Sequence, residues 1–134
     1  MKRLVAATLA LACLVVAAAC TDATAASSEV RIGIGHSRFD TKEVTVRVGE
    51  PIAFTIANND PIEHEWIVGT AEVHARHRTG TEPYHDQMAT EVTVPAYTTK
   101  QTTITFDRPG EYLYICHLPG HEKYGMRGTV VVVG

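Results

Sequence analysis

Between Cys116 and Met126 the chain carries a thiol, an imidazole and a thioether at equal spacing, Cys116-His-Leu-Pro-Gly-His121-Glu-Lys-Tyr-Gly-Met126, and then runs into Arg-Gly-Thr-Val-Val-Val-Val-Gly. This loop constrains the fold more than any other feature. Tyr112, Tyr114 and Cys116 alternate on one face of the segment before it, which reads as a strand ending at the cysteine. Gly128 to Val133 form a continuous apolar strand after it, expected to be buried on both faces. Pro119-Gly120 and Gly125 turn the chain in between. The cysteine sulfur therefore sits at one pole of a β-structure, and the closing strand fixes the loop.

The donor set is specific. A soft thiolate, an imidazole and a weak axial thioether are three of the four ligands of a type 1 copper site. The missing ligand is a second imidazole. It must come from a neighbouring strand, because the loop cannot encircle an ion unaided. His64, in Asp60-Pro-Ile-Glu-His-Glu-Trp66, is the candidate. The cysteine inventory argues the same way. Of three cysteines, Cys13 falls in an apolar leader and Cys20 at its end, so Cys116 is alone in the folding part. A solitary thiol in an exported chain is a reactive group or a metal ligand.

Met1-Lys2-Arg3 followed by the apolar run Leu4 to Ala19 reads as an export signal, too short for a transmembrane span. Two processing sites compete. Ala17-Ala18-Ala19-Cys20 resembles a lipobox, with alanine where leucine is usual; cleavage there would acylate Cys20 and anchor the protein to a membrane. Ala23-Thr24-Ala25 resembles an ordinary small-x-small site. Residues 1–19 are thus expected to be a signal peptide, 20–28 a small, polar tether, and 29–134 a single domain. Loss of Lys2 and Arg3 would take the formal charge from −3 to −5. A mildly acidic chain without a basic patch excludes nucleic acid as a partner.

From Glu29 the period is two. Val30-Ile32-Ile34, Val44-Val46-Val48, Ile52-Phe54-Ile56, Trp66 to Val68, Val92-Val94 and Thr103 to Phe106 are short strands between turn signals such as Gly49-Glu50-Pro51 and Asn58-Asn59-Asp60-Pro61. Seven or so short strands predict an all-β sandwich. Ala71 to Glu91 breaks the pattern. It is polar, holds His74, His77, His85 and Met88, and predicts a loop or short helix inserted between strands. Its bland reading is a solvated loop; its sharp reading is a second metal site made from those four residues.

The segments Tyr-Ile-Cys116-His-Leu-Pro-Gly-His121 and Gly125-Met126-Arg-Gly128-Thr resemble the C-terminal copper loop of the cupredoxins, the family of plastocyanin, azurin and rusticyanin. The resemblance implies a Greek-key β-sandwich of seven to eight strands carrying one type 1 copper. It also implies His64, Cys116 and His121 as equatorial ligands and Met126 as the axial one. One departure stands out. Plastocyanin and azurin place Asn after the first histidine, where it hydrogen-bonds near the cysteine sulfur; Glu65 stands there here. His117 is expected to be a surface or supporting residue, because neighbours on a strand face opposite ways. His36 is expected to have no metal role, and Trp66, Tyr112 and Tyr114 to pack the core.

Functionally the chain is expected to be an exported, monomeric, non-enzymatic carrier of single electrons between protein redox partners. The alternative is extracytoplasmic copper sequestration, resistance or delivery, which the histidine-rich insert would serve. No hydrolase triad or paired-carboxylate spacing stands out.

Overall fold

The alternating apolar segments form strands, in the order β1 Ser28–Ile34, β2 Glu43–Arg47, β3 Pro51–Asn58, β4 His64–Gly69, helix α1 Ala71–Thr79, β5 Glu91–Val94, β6 Thr99–Thr105, β7 Gly110–Ile115 and β8 Arg127–Val133. The computed structural model describes residues 28–80 and 88–134. The expected leader and nearly all of the tether lie outside the described residues, as does His85.

The strands make two sheets that form a sandwich. One has the order β1-β3-β6; the other has the order β2-β8-β7-β4-β5. β1 pairs parallel with β3, and β2 parallel with β8, while β7 pairs antiparallel with both β8 and β4. The inward residues of both sheets build one core, with Phe54 and Trp66 in contact at 4.9 Å between ring centroids. Trp66 and Tyr114 are fully buried, as their aromatic bulk dictates, and Tyr112 packs partly buried against the same core.

Two details differ from expectation. β8 is not buried on both faces: Gly128, Val130 and Val132 are buried, whereas Thr129 and Val131 are half-exposed. Only one face of this strand meets the opposite sheet, and β-branched residues suit the outer pleat as well. β6 begins at Thr99, four residues before its apolar run, because pairing with β3 from Ala57 onward defines it rather than burial.

The strands that flank the Cys116–Met126 loop are locked together. A side chain at Gly128 would meet Tyr114 Cζ at 2.1 Å, so only glycine lets this ring lie across β8. The Tyr114 hydroxyl then donates to the Thr41 carbonyl at 2.5 Å. The inserted segment folds back by a similar device. A Cβ at Gly69 would meet Val73 at 2.7 Å, so the bare backbone allows α1 to pack tightly on the end of β4. Gly80, at φ 67°, caps the helix in the left-handed conformation.

Candidate metal centre

Three elements converge at one end of the sandwich. β4 opens with His64, the segment after β7 carries Cys116, and the following loop returns with His121 and Met126. Cys116 Sγ lies 3.3 Å from His121 Nδ1 and 4.0 Å from His64 Nδ1, and the two histidine Nδ1 atoms are 3.3 Å apart. Bonds of about 2.0–2.1 Å to nitrogen and about 2.3 Å to sulfur around one ion produce ligand separations of roughly 3.3–4.0 Å at near-trigonal angles. The residues therefore fit a metal without rearrangement. Among the described residues this is the group of three such side chains within reach of a single ion.

The loop geometry is set by backbone hydrogen bonds. The Cys116 N–H donates to the Met126 carbonyl (3.2 Å), and the Met126 N–H donates to His121 (3.0 Å). Gly120 and Gly125, at φ 87° and 90°, make the turns that the sequence marks. Met126 is fully buried at this end, as are His64 and Cys116. His121 is half-exposed, so the imidazole of this group that reaches solvent is the one on the loop.

His64 is held by a residue that the sequence reading left in a turn. Asp60 is buried, and its carboxylate accepts from His64 Nε2 at 2.9 Å, from the His36 N–H at 2.6 Å and from the Ser37 N–H at 2.7 Å. A carboxylate only accepts, so Nε2 carries the proton and the lone pair sits on Nδ1, facing Cys116 and His121. Burial alone would raise the Asp60 pKa, but the N–H groups of Ser37 and His36 and the His64 imidazole outweigh it and hold it below the ordinary value. His36 and Ser37 both adopt positive φ, 55° and 53°, which gathers their N–H groups on this carboxylate. His36 thus contributes through its backbone. The sequence signal was the four-residue spacing from Asp60 to His64, but the carboxylate's other partners lie 23 and 24 residues away.

Glu65 bridges β4 and the segment that carries Cys116 in two ways. Its N–H donates to Cys116 Sγ at 3.4 Å, and its carboxylate accepts the His117 N–H at 3.2 Å. The first contact needs only backbone, so it does not depend on the residue type that departs from plastocyanin and azurin. Burial pushes the Cys116 thiol up to about 11, partly offset by the N–H groups of Glu65 and Leu118. Burial also lowers the His121 pKa. The metal-free centre thus favours a neutral thiol beside a neutral His121.

The first part of the insert, Ala71–Thr79, is a short helix. Its inner face buries His74 and His77, and His117 lies against them, 2.9 Å from His74. Burial and the neighbouring imidazoles push His117 down to about 4. Arg78 on the same helix forms a two-pronged ion pair with Glu122, next to His121. Met88 is 59% exposed and lines a groove with Val92 and Lys100.

Fold and site together define a cupredoxin: a two-sheet β-sandwich with a histidine, cysteine and histidine gathered at one end beside a buried methionine. Residues 26–133 match the family of copper binding proteins of the plastocyanin/azurin type, and the chain belongs to that family. Copper is accordingly its cofactor. The chain is 34% identical to the copper-resistant cuproprotein CopI of Rubrivivax gelatinosus over 115 residues, 83% of this chain and 70% of that protein. It is 30% identical to auracyanin-A of Chloroflexus aurantiacus, over 79% of this chain and 76% of the relative. Among solved structures, a reduced auracyanin from Roseiflexus castenholzii superposes with a TM-score of 0.69 at 22% identity, covering 81% of this chain and 98% of that one. The blue copper protein auracyanin A of Chloroflexus aurantiacus gives 0.62 at 28% identity, covering 80% and 99%. No helix among the described residues is long and apolar enough to cross a membrane.

Proposed function

We propose that His64, Cys116, His121 and Met126 hold the copper and that the protein carries single electrons between protein partners outside the cytoplasmic membrane, without catalysing a reaction of its own. The observation that supports this reading is the preassembled trio of donor atoms, 3.3–4.0 Å apart before any metal is bound. When bound, copper supplies a one-electron couple between Cu(I) and Cu(II). The chain's part is to hold one geometry for both states, so that little has to rearrange. Asp60 fixes His64, the Glu65 N–H steadies the sulfur, and full burial of Cys116 and Met126 excludes water. His121 offers the route to the surface. Near it in sequence Leu118 is half-exposed and Tyr124 is 69% exposed, apolar area suited to brief docking of a redox partner. An export signal at residues 1–19, with or without lipid on Cys20, would deliver the chain to that compartment.

A second reading is copper handling: sequestration, resistance or delivery. The three imidazoles packed beside the centre favour it, as does similarity to proteins named copper-resistant cuproproteins. A copper challenge of cells lacking the gene separates the two. Unchanged growth in copper, together with reversible one-electron reduction of the purified protein, is the result expected of a carrier. Growth arrest at copper levels that the parent tolerates would give the function to copper handling.

Met126 has a defined consequence under this assignment. Met126→Leu should retain copper and raise the reduction potential, because loss of a weak donor disfavours Cu(II). Electrochemistry of the loaded variant reads this directly. An unchanged potential would mean that another group occupies the axial position.

A further inference from the structure

The imidazoles of α1 and the copper loop form a second cluster that the proposed centre does not use. His74 Nε2 donates to the Leu113 carbonyl at 3.0 Å, and His77 Nδ1 donates to the Val73 carbonyl at 2.9 Å. Carbonyls only accept, so these nitrogens carry the protons, and the lone pairs lie on His74 Nδ1 and His77 Nε2. His74 Nδ1 faces His117 Nε2 at 2.9 Å. The His117 ring stacks on His77 with centroids 5.2 Å apart and planes 22° apart. Carboxylates stand behind both: Glu91 Oε1 is 3.6 Å from His77 Nε2, and Glu122 Oε2 is 3.9 Å from His117 Nδ1.

We infer that His74 and His117 are the first two ligands of a second metal site, which His77 and Glu91 complete on binding, for a divalent ion of the Cu(II) or Zn(II) class and distinct from the thiolate centre. Two nitrogens bonded at about 2.0–2.1 Å and at right angles on one ion lie about 2.9 Å apart, which is the His74–His117 separation. A far nitrogen tied to a backbone carbonyl is the arrangement by which proteins orient ligating histidines, and His74 and His77 both have it. His117 requires only a tautomer exchange: the proton leaves Nε2, and one is taken up at Nδ1, which faces Glu122. The first two donors are therefore in place, while His77 and Glu91 close on the ion when it arrives. Only nitrogen and oxygen donors are present, so such an ion lacks the intense thiolate band. Copper(II) outranks the other divalent ions of its row at such donors. An ion here would staple α1 to the loop that follows Cys116.

Metal counting tests this on the whole purified protein, loaded with excess Cu(II) and freed of loose metal. Two coppers per chain are expected, one with the strong visible band and one without. His74→Ala should lose the second copper, with at least tenfold weaker binding, and keep the visible band. His77→Ala removes a donor that closes only when the ion arrives, and should weaken the second copper about tenfold, the lower end of what loss of a supporting residue brings. Zn(II) added to the singly copper-loaded protein should raise its melting temperature, since the assembled site exists only in the folded form and binds the ion more tightly than the unfolded chain does. A wild-type count of one copper, or two coppers retained in His74→Ala, would overturn the second site and leave the thiolate centre untouched.

Discussion

Cys116→Ser is expected to abolish the intense visible absorption of the copper-loaded protein and to weaken Cu(II) binding beyond the 10–100-fold that loss of a merely supporting contact brings. The band arises from charge transfer out of a soft thiolate, and a hydroxyl is a hard donor that cannot supply it. The fold should tolerate the change, because the side chain stays small and can still hydrogen-bond. The hydroxyl would sit where Sγ now lies, 3.4 Å from the Glu65 N–H and 3.3 Å from His121 Nδ1. Absorption spectroscopy combined with a Cu(II) competition titration reads both effects on one sample. The variant also reports on the second cluster: a copper retained there should be colourless by comparison. A persistent intense band would remove Cys116 from the centre altogether.

The Cys116–Met126 loop was legible as a candidate metal site because its chemistry is local and its residue types are rare. Cys116, His121 and Met126 lie within one turn-rich segment, and solitary cysteine in the folding part needs no tertiary knowledge. The strands were legible for the same reason: burial on one sheet face imposes a period of two along the chain. What escaped reading depends on contacts between distant segments. Asp60 looked like one residue of a turn, and its three donors come from β4 and from a loop 23 and 24 residues earlier. His117 was expected to be a surface or supporting residue, and β7 ends at Ile115, two residues before it. Beyond that point the direction of the ring is set by α1. The helix itself carries no amphipathic pattern. Its buried face is made of histidines, which no hydrophobic period reveals, and their partners lie on β5, β7 and the copper loop. Glu65 shows the converse: the unexpected residue type matters little to the sulfur contact, because a backbone N–H makes it.

Asp60→Ala should be the most damaging change outside the four proposed ligands. It strips the acceptor from three donors at once: the His36 and Ser37 N–H groups and His64 Nε2. Each donor left unsatisfied in a buried place costs about 1–3 kcal/mol. Partial access to water puts the sum near the lower end, about 3–5 kcal/mol, and a melting temperature lower by roughly 10–30 °C. The left-handed conformations of His36 and Ser37 also lose the contact that offsets their strain. Asp60→Asn is not an innocent control. Oδ1 accepts from His36, while Oδ2 accepts from both Ser37 and His64, so an amide must aim its NH2 at another donor on one side. Both variants release the His64 ring from its fixed tautomer and remove the nearby negative charge. Copper affinity should therefore fall about 10–100-fold. The reduction potential should rise as well, because Cu(II) is the state that the carboxylate-backed imidazole favours. Calorimetry of the metal-free protein, competition titration and electrochemistry separate the structural effect from the electronic one. A folded Asp60→Asn protein with unchanged affinity and potential would reduce Asp60 to an ordinary turn residue.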